Sequence, residues 1–335
     1  MIIESSAPTR VDLAGGTIDL WPIYLFHPGA TTVNFALSLR ASARIETRTD
    51  RSIILESRDR GIRLESSVDH IDELWEDSRL ELVSKMVHFF RPTTGFNLVA
   101  NSDAPAGAGI SGSSALAIAL IGALNRLVGN RYDERKFITI AANIETTVIK
   151  VPAGFQDYYP AFYGCASSIV FRADGIEREH LQVDPSEIER RFVICYTGEP
   201  RNSGINNWDV FKRHIDGDPE LFEIFERIRD AASQMRTALL ASDWSRVGEV
   251  MRAAYPNRKR LAPGITTPTM DVLVEKAFRN GAEGAKVCGA GGGGCIAFLC
   301  TPERKAELEQ ALAAEEGAEV LRWKVAREGL IVREN

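Results

Sequence analysis

From Phe35 to Ser66 apolar and polar residues alternate, as in ALSLRASARIETR, SIILES and IRLES. A period of two sends successive side chains to opposite faces of a strand, so this stretch predicts half-buried antiparallel strands. Gly95 to Asn101 (GFNLVAN) adds another strand. A glycine- and serine-rich loop then leads into ALAIALIGALNRLV, apolar on nearly every face. A helix of that kind belongs in the middle of its domain. A second helix is expected over Glu134 to Ile149 and a strand over Gly164 to Phe171.

The acidic, weakly apolar stretch Asp174 to Glu189 is the expected boundary, dividing the chain into 1–185 and 186–335. Beyond it, strands are expected at Phe192 to Tyr196, Ala285 to Val287, Cys295 to Cys300 and Glu319 to Val325. Helical patterns cover Leu221 to Leu240, Trp244 to Tyr255, Pro268 to Arg279 and Glu303 to Ala314. Thr267 before Pro268 is an N-cap followed by proline at the first helical position. The chain as a whole reads as α+β.

Composition narrows the class. At roughly 100 to 200 residues per domain, 335 residues make about two domains. With 44% hydrophobic and 26% charged residues, neither long disorder nor a fibrous repeat fits. The net charge of -6 argues against a nucleic-acid partner held by bulk positive charge. The longest apolar run, Ala115 to Leu124, is about half of the roughly 20 residues a membrane span needs. The amino terminus lacks a basic segment followed by a long apolar one, so it does not read as a secretory signal. A cytoplasmic monomer or homodimer without membrane or nucleic-acid partners is the expectation. The five cysteines form no C-x-x-C pair and sit in apolar segments, which favours buried reduced thiols over zinc or a catalytic cysteine. The five histidines show no metal-ligand spacing.

Glycine is informative by position. Of 27 glycines, seven fall between Gly281 and Gly294. Lys286-Val-Cys-Gly289-Ala-Gly291-Gly-Gly-Gly294-Cys295 has more of them than a hairpin turn requires, which suits a backbone that closely approaches a ligand or another domain. A purely structural turn is the alternative. Earlier, Pro105-Ala-Gly107-Ala-Gly109-Ile-Ser111-Gly112-Ser113-Ser114-Ala115 joins a strand to the buried helix. The free N–H groups and dipole of that helix start favour an anion such as phosphate. Gly107, Gly109 and Gly112 also satisfy G-x-G-x-x-G, which raises dinucleotide binding, but Asp103-Ala-Pro-Ala separates them from the strand and the preceding residues look antiparallel. No Walker A pattern occurs. A glycine connection without a ligand is the plain alternative.

Ala7-Pro-Thr-Arg10-Val-Asp-Leu-Ala-Gly15-Gly16-Thr-Ile-Asp19, the Pro105 to Ala115 loop, and Lys286 to Gly294 resemble, in order, the three motifs of the GHMP kinases. Gly15-Gly16, Gly112-Ser113-Ser114, Gly154-Phe-Gln-Asp157 and Tyr163-Gly164 look most like the heptose 7-phosphate kinases. The resemblance implies a two-domain GHMP kinase fold, with an N-terminal domain like ribosomal protein S5 domain 2 and a ferredoxin-like C-terminal domain. It further implies ATP-dependent transfer to a hydroxyl of a sugar or sugar phosphate, with Mg²⁺.

Carried over residue by residue, the resemblance implies that Pro105, Gly107, Gly109, Ser111, Gly112, Ser113 and Ser114 bind the nucleotide. It makes Ser114 and Glu145 ligands of Mg²⁺, and Asp157 and Arg10 catalytic. Gly16, Asp19, Asp157, Arg201, Gly291 and Gly292 fall to the acceptor. Read alone, Ser114 is a helix N-cap, Glu145 a solvated helix charge, Asp157 a cap, and Arg10 and Arg201 surface residues. The first motif departs from the Gly-Gly-Gly-Thr-Asp more usual in heptose phosphate kinases, and Trp21, Pro22, Tyr24 and Trp208 are either pocket wall or core. Other acceptors of the family (galactose, a uronic acid, a mevalonate-type alcohol), an NAD-dependent oxidoreductase and a non-catalytic sensor of the same fold remain alternatives.

Overall fold

The computed structural model describes residues 1–201 and 203–335, with the side chains of 203–207 left aside. Asn202 and the side chains from Ser203 to Asn207, which accompany Arg201 and Trp208 in the sequence motifs, therefore lie outside the described residues.

Seven of the eight strands of the first sheet are β1 (Ile2–Ala14), β2 (Thr31–Thr47), β3 (Ser52–Ser57), β4 (Ile62–Ser67), β5 (Phe96–Ser102), β6 (Ala166–Phe171) and β7 (Ile176–His180), and the eighth comes from the end of the chain. The 17-residue β2 is long enough for two partners on one edge: residues 31–35 pair with β6 and residues 41–47 with β5. The β3–β5 pair is parallel and the others are antiparallel. Three helices are packed with this sheet in one apolar cluster: α1 (Glu81–Phe90), α2 (Gly112–Leu127) and α3 (Phe137–Ile149). Buried from Ser114 to Asn125 apart from Leu116, α2 is the central helix its all-round apolar pattern predicts. A short α4 (Tyr158–Tyr163) follows.

The expected boundary stretch is ordered: it contains β7 and α5 (Pro185–Arg191), capped by Asp184, whose carboxylate accepts from Ser186 N–H at 2.9 Å. Next come β8 (Phe192–Tyr196), α6 (Ser203–Ile215), α7 (Pro219–Leu240), α8 (Trp244–Arg260) and α9 (Pro268–Arg279). The Thr267 cap forms as expected, accepting from Met270 N–H at 3.2 Å. The chain continues through β9 (Ala282–Val287), β10 (Cys295–Cys300), α10 (Lys305–Ala313), β11 (Glu319–Val320) and β12 (Ile331–Glu334).

The second sheet runs β11-β8-β10-β9, antiparallel throughout. Both faces of β10 are covered, which explains its unbroken apolar run. Ile296 and Phe298 pack with α9 and α10, while Ala297 and Leu299 pack with α7 and α8. That second cluster also takes in Val11, Leu13, Val33 and Phe35, so the two halves share a core. The chain also crosses back: β12 pairs with β1, and Leu37 bridges Val325. The expected strand Glu319 to Val325 is thus only two residues of β11 before the return begins.

Four cysteines are buried and Cys165 is partly exposed; all five are free. Burial pushes the Cys195 and Cys288 thiols up to about 12, which suits inert packing groups. Among the described residues no helix is long and apolar enough to cross a membrane.

Candidate active site

Arg10 and Asp12 are two residues apart on β1, where a strand brings side chains to one face, and both are buried. Arg10 donates to Asp157 Oδ1 through Nε at 2.9 Å and Nη2 at 2.6 Å, and to Gly109 O through Nη1 at 3.0 Å. Burial works against the Arg10 charge, but Asp157 and Asp12 outweigh it and hold the guanidinium above its ordinary range. Asp157 stands before α4 without capping it. Its second oxygen, Oδ2, has no hydrogen-bond partner among the described residues, and Asp157 lines a pocket together with Asp19, Ser114 and Glu145.

Glu145 is buried on α3 and accepts from three hydroxyls: Ser113, Ser114 at 2.9 Å and Tyr158 at 2.7 Å. It is therefore no solvated charge. Burial raises its carboxyl above the usual range against the pull of those hydroxyls. Ser111, in a left-handed backbone with φ +63°, occupies the N-cap of α2, which leaves Ser114 free to face Glu145. The buried Ser111 hydroxyl has no partner among the described residues. Carboxylate and hydroxyls form the hard-oxygen set that suits Mg²⁺. Among the described residues no three His, Cys, Asp or Glu side chains gather to hold a metal, so a divalent ion here would also need phosphate oxygens.

Asp19 is buried and accepts from Gln156 N–H at 3.0 Å and Thr17 N–H at 3.1 Å. Burial, reinforced by Asp157, pushes its carboxyl up to about 7. Gly154 makes this approach possible, since a Cβ there would sit 2.1 Å from Asp19 Oδ2.

The glycine loops pack on one another. Arg201 N–H donates to Gly107 O at 3.1 Å, Cys295 N–H to Ala108 O at 2.7 Å and Arg10 N–H to Ile110 O at 3.0 Å. Gly107 and Gly109 thus let the loop after β5 lie against the second half, while Ser113 and Ser114 reach the pocket. Of the third motif, Gly289 and Ala290 line the pocket, whereas Gly291 and Gly292 turn against Ile265. Gly16 sits on the Asp12 carboxylate, where a Cβ would come within 2.6 Å of Oδ2. Arg201 lines the pocket and has no carboxylate partner among the described residues. Burial lowers its basicity and Arg10 adds to that. Trp21 and Trp208 are neither wall nor core but exposed, whereas Tyr24 is buried.

Three residues outside the expected set complete the site. Lys286 Nζ donates to Asp12 Oδ2 at 2.6 Å, and Gly289 N–H to Asp12 Oδ1 at 3.2 Å. Arg258 joins Gly16, Thr17 and Gly289. The signal for Asp12 was its place two residues after Arg10 on a strand; Lys286 opens the third motif; nothing local marks Arg258. The pocket has a volume of about 80 Å³ and is partly open to solvent. Larger clefts exist, one of about 360 Å³ beside Arg40, Arg44, Arg58 and Arg333, but it lacks the carboxylate–hydroxyl set.

Residues 81–165 match the GHMP kinases N terminal domain and residues 235–318 the GHMP kinases C terminal domain. The chain is 26% identical over 328 residues to the D-glycero-alpha-D-manno-heptose 7-phosphate kinase of Campylobacter jejuni, covering 94% of each. It is 27% identical over 352 residues to the mevalonate kinase of Pyrococcus abyssi, covering 99% of this chain and 98% of the relative. A solved D-glycero-D-manno-heptose 1-phosphate kinase from Bacteroides thetaiotaomicron superposes with a TM-score of 0.76 at 22% identity over 99% of both chains, which speaks for the fold.

Proposed function

The chain belongs to the GHMP kinase family, phosphotransferases with an alcohol acceptor and ATP as donor, and on that footing we propose that its acceptor is a sugar phosphate, with a heptose 7-phosphate fitting best. The observation that carries the proposal is the divided use of Asp157. Arg10 takes Oδ1 twice and leaves Oδ2 to the pocket. An acceptor hydroxyl there would find a carboxylate oxygen to take or orient its proton. The Arg10 guanidinium lies beside it to offset negative charge as that builds up.

Phosphoryl transfer asks mainly for positioning and charge neutralisation. Ser114 and Glu145 would hold Mg²⁺, which when bound neutralises phosphate charge. The start of α2 would receive the phosphates. Arg201 supports an acceptor that carries its own phosphate: it lines the pocket without a carboxylate partner and offers a planar fork for bidentate contact. Near full-length relatives include the Campylobacter jejuni heptose 7-phosphate kinase and the Pyrococcus abyssi mevalonate kinase, and it is Arg201 that favours the phosphorylated acceptor between them. The oxidoreductase alternative falls with the family assignment, and the topology agrees, because the strand that follows α2, β6, does not lie beside β5 but pairs with the other end of β2.

An ADP-release assay over heptose 7-phosphate, unphosphorylated sugars, a uronic acid and mevalonate tests the acceptor. The phosphorylated sugar is expected to give the highest kcat/KM, with Arg201→Met raising its KM about tenfold or more. Equal turnover of unphosphorylated sugars, unaffected by Arg201→Met, would overturn it.

A further inference from the structure

Thr17 holds φ +82°, a left-handed backbone that a β-branched residue adopts only under constraint. Arg258, from the last turn of α8, supplies that constraint. Its Nη1 donates to Thr17 Oγ1 at 2.5 Å and to Gly16 O at 3.4 Å, and its Nη2 to Gly289 O at 2.6 Å. Arg258 is buried, its Nε has no partner among the described residues, and it lies outside the pocket lining, whereas Thr17 is part of it. The guanidinium therefore serves the loops rather than a ligand.

A hydroxyl has one hydrogen and two lone pairs. Arg258 occupies a lone pair of Thr17 Oγ1, which turns the hydrogen away from the guanidinium, and no protein acceptor takes it among the described residues. Thr17 N–H already donates to Asp19. We propose that Thr17 donates its hydroxyl hydrogen to an oxygen of the acceptor, with Arg258 as the positioning residue that aims it. Thr17 falls where the Gly-Gly-Gly-Thr-Asp pattern has glycine, so this hydroxyl is an addition relative to that pattern. The inference rests on the assignment of this pocket to the acceptor.

Steady-state kinetics of Thr17→Val, Thr17→Ser and Arg258→Lys, with whichever alcohol of the panel the native enzyme phosphorylates, provide the test. Thr17→Val keeps the branched shape and loses only the hydroxyl; it should raise the acceptor KM about tenfold with the ATP KM within about twofold. Thr17→Ser should restore most of the loss, and Arg258→Lys should shift the acceptor KM in the same direction. An unchanged acceptor KM in Thr17→Val, or a parallel rise of both KM values, would overturn the proposal. A thermal-unfolding cycle of Thr17→Val with Arg258→Lys reads the pair without any acceptor: non-additive losses are expected, and strict additivity would contradict it. Failure of heptose 7-phosphate as acceptor would overturn the sugar-phosphate reading while leaving this KM pattern intact.

Discussion

Arg10 places two N–H groups on a single oxygen of Asp157, Oδ1, at 2.9 and 2.6 Å, so the aspartate is held by one oxygen and the other is left for the proposed acceptor hydroxyl. Asp157→Asn keeps the size and removes the proton acceptor. It should lower kcat by about 10² to 10⁴ while ATP affinity, measured by calorimetry, stays within a few-fold. Arg10→Lys loses the fork and should also cost kcat rather than ATP binding. Loss of ATP binding in either variant would make the pair structural.

Asp12 and Lys286 form a second, fully buried pair, 274 residues apart in sequence. Burial alone would raise the Asp12 carboxyl, but Lys286 and Arg10 outweigh it and hold it below the usual range. Lys286→Met leaves a buried carboxylate facing a neutral side chain and should destabilise by about 3–5 kcal/mol in urea unfolding. Adding Asp12→Asn should recover part of that loss. A single-variant cost below about 1 kcal/mol would mean that water reaches Asp12.

Asp19 titrates in the opposite sense. Its carboxyl, ordinarily near 3.8, is raised to about 7 by burial and by Asp157. Between those values the folded protein keeps a proton that the unfolded chain has released, so this group makes stability fall as pH rises, by up to about 1.4 kcal/mol per pH unit. Asp19→Asn should therefore flatten the decline of Tm between pH 4 and pH 7. Parallel pH profiles for the two proteins would contradict the assignment.

Gly154 is needed for what its missing Cβ would strike. In Gly154→Ala that atom would sit 2.1 Å from Asp19 Oδ2. Overpacking of this kind costs about 1–3 kcal/mol, and the acceptor KM should rise more than the ATP KM. A neutral result by thermal unfolding and kinetics would show that Asp19 can move aside freely.

Local pattern made much of this molecule legible. The all-apolar α2 was readable as a central helix, and Thr267-Pro268 as the start of α9. β1 was harder: its residues from Ala7 to Ala14 are all buried, so no alternation marks it as a strand. β12 was invisible because its reason lies in β1, more than 300 residues earlier in the chain. The same division holds at the site. Arg10, Ser114 and Asp157 stand in motifs, Glu145 lies on α3 outside them, and the fold brings the four together. Arg258 acts through contacts with Thr17 and Gly289 that no local spacing encodes. The glycines carried mixed meaning, since Gly16 and Gly291 make room for Asp12 and Ile265 whereas Gly289 lines the pocket.

The most direct measurement is ³¹P NMR of the native enzyme and Asp157→Asn, each incubated with ATP, Mg²⁺ and heptose 7-phosphate. The account predicts that the native enzyme forms ADP together with a second phosphoester resonance on the sugar, and that both are lost in the variant. No new phosphoester with this or any other alcohol acceptor, or undiminished formation in Asp157→Asn, would contradict it.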